Sequence, residues 1–235
     1  MYGYGYGMYF DPTYLLVIIG AVLCLLASSK VNSTYNRYSK IRSMSGLSGR
    51  EAAEQILHIA GIYDVSVEHI SGNLTDHYDP SSKVLRLSDA TYNSRSVAAI
   101  GVAAHECGHA MQHQEDYMPL NLRTAIVPVA NIGSKICWPM IIIGVIIGYF
   151  QPLLTLGILL FSLSVLFQLV TLPVEFNASS RALKILEQYA ILDHEETKEA
   201  KEVLSAAALT YVASAASALL QLLRLIILFG GRRRD

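Results

Sequence analysis

Val97-Ala98-Ala99-Ile100-Gly101-Val102-Ala103-Ala104-His105-Glu106-Cys107-Gly108-His109-Ala110 is the stretch from which the rest of the chain is read. It carries His-Glu-x-x-His within a run of helical character. Helix positions four apart share a face, so His105 and His109 can offer two imidazole nitrogens to one metal ion, and zinc suits such nitrogens best. Glu106 points far enough around the helix to avoid ligation, yet stays near enough to take a proton from a metal-bound water, a hydrolase arrangement. The bland alternative is a chance five-residue match on polar surface. The small apolar residues from Val97 to Ala104 argue against it, because they predict a buried helix. Burying two histidines and a glutamate without partners costs on the order of several kcal/mol, which a bound cation offsets.

C-terminal to the pair, His113 extends the same face by another step of four. Residues eight apart on a straight helix are separated by about 12 Å, too far to share an ion, so a third ligand is expected from elsewhere in the chain. N-terminal to the helix, Leu74 to Tyr78 and Val84 to Leu87 flank the turn signal Asp79-Pro80-Ser81-Ser82 and predict a hairpin. The edge of such a strand can hold an extended peptide, although an ordinary core-covering hairpin is the plainer reading. His77 and Tyr78 on that strand, with Arg181 further on, are weak candidates for an oxyanion donor. Val65-Ser66-Val67 is a further short strand, and Ser48-Gly49-Arg50-Glu51 is a capping box opening a helix that stops at Gly61.

Beyond this polar region the chain is a membrane protein by composition. Of its 235 residues 52% are hydrophobic and 16% charged, and the apolar ones come in blocks. Tyr14 to Ser28 is one block, preceded by the Tyr/Gly repeat of Met1 to Pro12, which fits an interfacial aromatic belt and flexible low-complexity sequence equally well. Ile136 to Phe150 and Leu153 to Leu172 are separated only by Gln151-Pro152 and predict a tight transmembrane hairpin; Thr124 to Gly133 is an amphipathic lead-in or extra turns of its first helix. Lys30, Arg37, Lys40, Arg42 and Arg50 follow the first block, Arg123 and Lys135 come at the start of the hairpin, and Arg181 and Lys184 follow it. The positive-inside bias therefore puts residues 30–123 and the chain after Leu172 on the cytoplasmic side. Asp193-His194-Glu195-Glu196 caps a long helix running into the apolar Ala206 to Phe229. A full crossing there would carry Arg232-Arg233-Arg234 outside, against the charge rule, so the expectation is a membrane-embedded helix, its crossing left open, with Arg224 snorkelling or facing a polar partner.

Glu175 is the first carboxylate after more than fifty residues without one, and it arrives on the same side as the histidines. It can complete a His/His/Glu site with a position left for water, or it can be a helix N-terminal glutamate opposing the macrodipole. The net charge of −1 gives no basic surface for nucleic acid, so no nucleic-acid partner is expected. Cys24, Cys107 and Cys137 read as small buried hydrophobes.

Several blocks in order, STYNRYSKIRSMSGLSG, LTDHYDPSSKVLRLSDATY, AAHECGHAMQH, PVEFNASSRAL and LTYVASAASALLQLL, resemble the YugP-like neutral zinc metallopeptidases of prokaryotic membranes. More distantly the chain is similar to integral-membrane gluzincins of the HtpX and CAAX prenyl protease type. The resemblance implies His105, His109 and Glu175 as ligands of one Zn2+ per chain and Glu106 as catalytic base. The wider gluzincin pattern has Asp four residues after the glutamate ligand; this sequence has Ser179, whose hydroxyl can orient an imidazole without charge.

The expectation is thus a mainly α integral membrane protein of three or four transmembrane helices with a small α+β zincin-like cytoplasmic domain. Its parts are a tail and first span (1–29), the catalytic part (30–123), a transmembrane hairpin (124–172), helices with the third ligand (173–205) and a membrane-embedded C-terminal helix with a basic tail (206–235). The expected activity is zinc endopeptidase at the cytoplasmic face of a prokaryotic plasma membrane, on protein or peptide substrates that include membrane proteins. The competing class is a non-catalytic scaffold pinned by zinc. An intact Glu106 favours the enzyme, since a purely structural site gains nothing from a base. A transporter-like bundle fits less well, because the spans hold few polar residues beyond Gln168, Gln221 and Arg224.

Overall fold

The computed structural model describes residues 11–230. The tyrosines of the N-terminal repeat and Arg232 to Arg234 lie outside the described residues. Helix α1, Tyr14–Tyr38, is the first apolar block carried well past Ser28. It continues because Tyr35 and Tyr38 are buried against Ala98 and Val203, and because the Tyr38 hydroxyl donates to Glu202 Oε2 at 2.6 Å. Helix α2, Gly49–Ile59, begins with the expected capping box of Ser48 and Glu51, and it buries Ala52, Ala53, Ile56 and Leu57 along one face.

Three short strands follow: β1 (Ser66–Ile70), β2 (His77–Asp79) and β3 (Val84–Ser88), in the order β1-β3-β2. The expected hairpin is the antiparallel β2–β3 pair, with Tyr78 opposite Leu85. β1 pairs with β3 in parallel, so β3 is central, and its Val84, Leu85 and Leu87 are buried.

Helix α3, Val97–Gln114, carries the two histidines. Ser96 caps it by accepting from the Ala99 N–H. Ile100, Ala103, Ala104 and Cys107 are fully buried in the core shared with α2 and the sheet, and Cys107 is inert there, its thiol pushed well up by burial.

Helices α4 (Met118–Ile146) and α5 (Gln151–Gln188) form the expected membrane hairpin, both longer than the apolar blocks predict. The lead-in at 124–133 is part of α4. The boundary expected at 172/173 falls inside α5, which passes through Pro173 without ending. Val174, Ala178, Ala182 and Leu186 repeat every four residues and are buried, and this packing overrides the local preference of proline to break a helix. Helix α6, His194–Phe229, likewise runs unbroken through the boundary expected at 205/206. Asp193 and Glu196 form its capping box as the sequence predicts.

α6 lies antiparallel along α1. At one end Tyr38 meets Glu202; at the other Arg224 donates to Thr13 and lies 3.6 Å from Asp11. Between them Gly20 sits so close to Ser217 that an added Cβ would collide with its side chain. Gln151 donates to the Phe229 carbonyl at 2.9 Å, which fixes the α4–α5 turn at the Arg224 end. α1, α4, α5 and α6 are each long and apolar enough to cross a membrane. Their flanks are apolar and open, with Leu25 70% exposed and Ile146 75% exposed. The molecule is a mainly α membrane protein whose small α+β part caps one end of the helices.

Candidate metal centre

The centre forms where α3 crosses α5. Gly108 makes the approach possible, because a Cβ there would overlap the Ala178 carbonyl oxygen. With the backbones this close, His105 and His109 on α3 face Glu175 on α5. His105 Nε2 lies 3.3 Å and His109 Nε2 3.6 Å from Glu175 Oε2, and the three ligand atoms all lie within 4.8 Å of one another. Glu175 is in mid-helix and 3% exposed, so it does not oppose a helix N-terminus.

A divalent cation fits this cluster. Two atoms each about 2.0–2.1 Å from a tetrahedral zinc are separated by about 3.3 Å, close to the spacings seen here. Glu175 Oε2 is buried without a hydrogen-bond partner, while Oε1 lies 3.4 Å from Arg123 Nη1. An orphaned buried carboxylate oxygen costs free energy that a cation would recover. Burial works against charge on the His109 imidazole, yet the Glu175 and Glu106 carboxylates raise its proton affinity above the ordinary value. The site therefore favours a positive charge at this point.

The far ring nitrogens are held. His109 Nδ1 lies 3.1 Å from Gln112 Oε1. The Gln112 amide donates to the Val174 carbonyl and to Asn177 Oδ1, which fixes Oε1 as an acceptor. His109 must then carry its proton on Nδ1, leaving the Nε2 lone pair toward Glu175. His105 Nδ1 shares a hydrogen bond of 3.0 Å with Ser179 Oγ, one turn beyond Glu175. Glu106 faces a cavity of about 210 Å³ with His105, whose wall includes Val31, Leu74, Asp76 and Tyr211.

The weaker candidates separate. Tyr78 is tied to His113 Nδ1 at 2.8 Å, and His77 Nδ1 to the Thr75 carbonyl at 2.9 Å; neither faces the cavity in front of Glu106. Arg181 donates to Asn177 Oδ1 and to Glu115, so it braces the chain that ends on His109. Three residues at the centre are not singled out by the sequence: Gln112, Arg123 and Tyr211, the last lining the same cavity as His105 and Glu106. Gln112 carries a signal, lying one turn after His109 on a buried helix; in the sequence Arg123 bears only on topology, and Tyr211 falls within the apolar block Ala206 to Phe229.

Residues 13–230 match the family described as "Putative neutral zinc metallopeptidase". The chain is 49% identical over 214 residues to "Putative membrane protease YugP" of Bacillus subtilis (strain 168), covering 91% of this chain and 95% of that protein. No solved structure matches the chain.

Proposed function

The chain belongs to the neutral zinc metallopeptidase family, and from that premise we propose that it is a membrane-bound endopeptidase holding one zinc ion through His105, His109 and Glu175. The observation that carries this reading is the buried, partnerless Glu175 Oε2 set 3.3 and 3.6 Å from two imidazole nitrogens. When bound, zinc supplies a Lewis acid that polarises a peptide carbonyl and lowers the pKa of water at the same position. Glu106 accepts the proton released by the attacking water at its carboxylate and passes it to the leaving amine. Ser179 and Gln112 hold the two imidazoles in register by their Nδ1 atoms, and Arg123 balances the Glu175 charge from the side away from the histidines. Tyr211 lines the cavity in front of Glu106 where His77, Tyr78 and Arg181 do not, and this supports its hydroxyl, rather than those side chains, as the donor to charge developing on the carbonyl oxygen. The free edge of β2 offers an extended substrate its backbone pairing.

The active-site end is the cytoplasmic one in this reading, since Lys30, Arg37, Lys40, Arg42 and Arg50 gather there. Substrates are then peptides or membrane proteins at that surface. The test is metal analysis of the purified chain beside casein cleavage with and without a chelator. Zinc near one per chain with chelator-sensitive cleavage is expected; zinc without any cleavage would favour the scaffold.

A further inference from the structure

A second feature lies between α5 and α6, along Phe176 to Glu187 on the first and His194 to Val212 on the second. They leave a groove of about 880 Å³. Phe176, Leu183 and Lys184 on α5 line one wall at helical spacing, and Leu204, Leu209 and Val212 on α6 the other. The groove has a polarity gradient. Its membrane-side end is apolar and open, with Phe176 49% and Leu209 48% exposed. Its other end is cationic, with Lys184, Lys198, Lys201 and His194 around it. Lys198 is paired with Glu195 at 2.8 Å and His194 with Glu187 at 3.5 Å. Lys184 and Lys201 have no ion pair among the described residues. The first turn of α6 lies at this same end, its N-terminus already capped by Asp193 and Glu196, and Thr197 there keeps a hydroxyl without a hydrogen-bond partner.

We propose that this groove binds one anionic phospholipid, its acyl chains along Phe176, Leu209 and Val212 and its phosphate between Lys184 and Lys201. The direction of the gradient is what selects a lipid. The apolar end continues the lipid-facing surface of two membrane-spanning helices, and the unpaired charges stand where a headgroup would be. A soluble phosphate would leave the apolar walls uncovered, and a neutral lipid would leave two lysines uncompensated. The proposal does not depend on catalysis, and its test reads binding alone.

The full chain is placed in nanodiscs of equimolar phosphatidylglycerol and phosphatidylcholine with identical acyl chains, and retained lipid is counted by native mass spectrometry. One phosphatidylglycerol per chain is expected to be kept in preference to phosphatidylcholine. Lys184→Gln and Lys201→Gln should each weaken that preference about fivefold. Both lysines are exposed, so the variants should keep their fold and metal content. Ser205→Trp, which fills the groove without changing charge, should remove retention of both lipids. Equal retention of the two lipids, an unchanged preference in the double lysine variant, displacement by millimolar glycerol phosphate, or a peptide found in place of lipid would each overturn the assignment.

Discussion

Two charged clusters stand at opposite ends of the helices, and they differ in whether they are complete. At the far end Arg224 on α6 donates to Thr13, lies 3.6 Å from Asp11 and has its guanidinium over the Tyr14 ring at 4.3 Å. Cation, anion and aromatic face answer one another, and the cluster clasps α6 to the start of α1. At the near end Glu175 meets two histidines and Arg123, and one carboxylate oxygen is still without a hydrogen bond. A finished, partly exposed cluster holds helices together; an unfinished and more deeply buried one holds a place for something else.

The comparison can be broken most severely at Glu175. Glu175→Ala removes a proposed ligand, so bound zinc should fall below about a tenth per chain and casein cleavage should vanish. Retention of stoichiometric zinc would show that the ion sits elsewhere. Glu106→Gln leaves the proposed ligands intact and removes the proposed proton carrier. Cleavage should drop by at least about 100-fold while zinc stays near one per chain, measured by turnover and metal analysis on the same sample. Gln112→Ala releases the His109 ring, and zinc affinity by competition with a chromophoric chelator should weaken about 10- to 100-fold. Smallest is the effect at the finished cluster. Arg224→Met should lower thermal stability by about 1–2 kcal/mol, by removing a partly exposed pair and a ring contact, while zinc content and turnover per folded molecule stay as in the parent. Loss of zinc in that variant would mean the two ends are not independent.

Much of the architecture was legible in the sequence because the signals were local. The capping boxes at Ser48 and Asp193, the Asp79-Pro80 turn and the apolar blocks each report on neighbours within a few residues. The helix extents were not legible. Pro173 is a local stop signal, and α5 overrides it because Val174, Ala178, Ala182 and Leu186 are buried behind it. The two possible roles of Glu175, ligand or helix N-terminal residue, could be separated only by knowing that α5 does not begin there. The sequence leaves Arg224 either snorkelling or facing a polar partner; that it faces one, and that the partner lies more than two hundred residues away at Asp11 and Thr13, is a consequence of α6 returning along α1.

The sequence by itself determined that this is a membrane protein, that a buried helix carries His105, Glu106 and His109, and that short strands precede it, since hydropathy and periodicity are properties of contiguous residues. Only the tertiary structure decided that Glu175 faces the two imidazoles, that Gln112, Arg123 and Tyr211 surround them, and that α6 runs the whole length of α1. Those facts rest on how closely two helices can approach, and at Gly108 that distance is set by a missing side chain against a carbonyl seventy residues away.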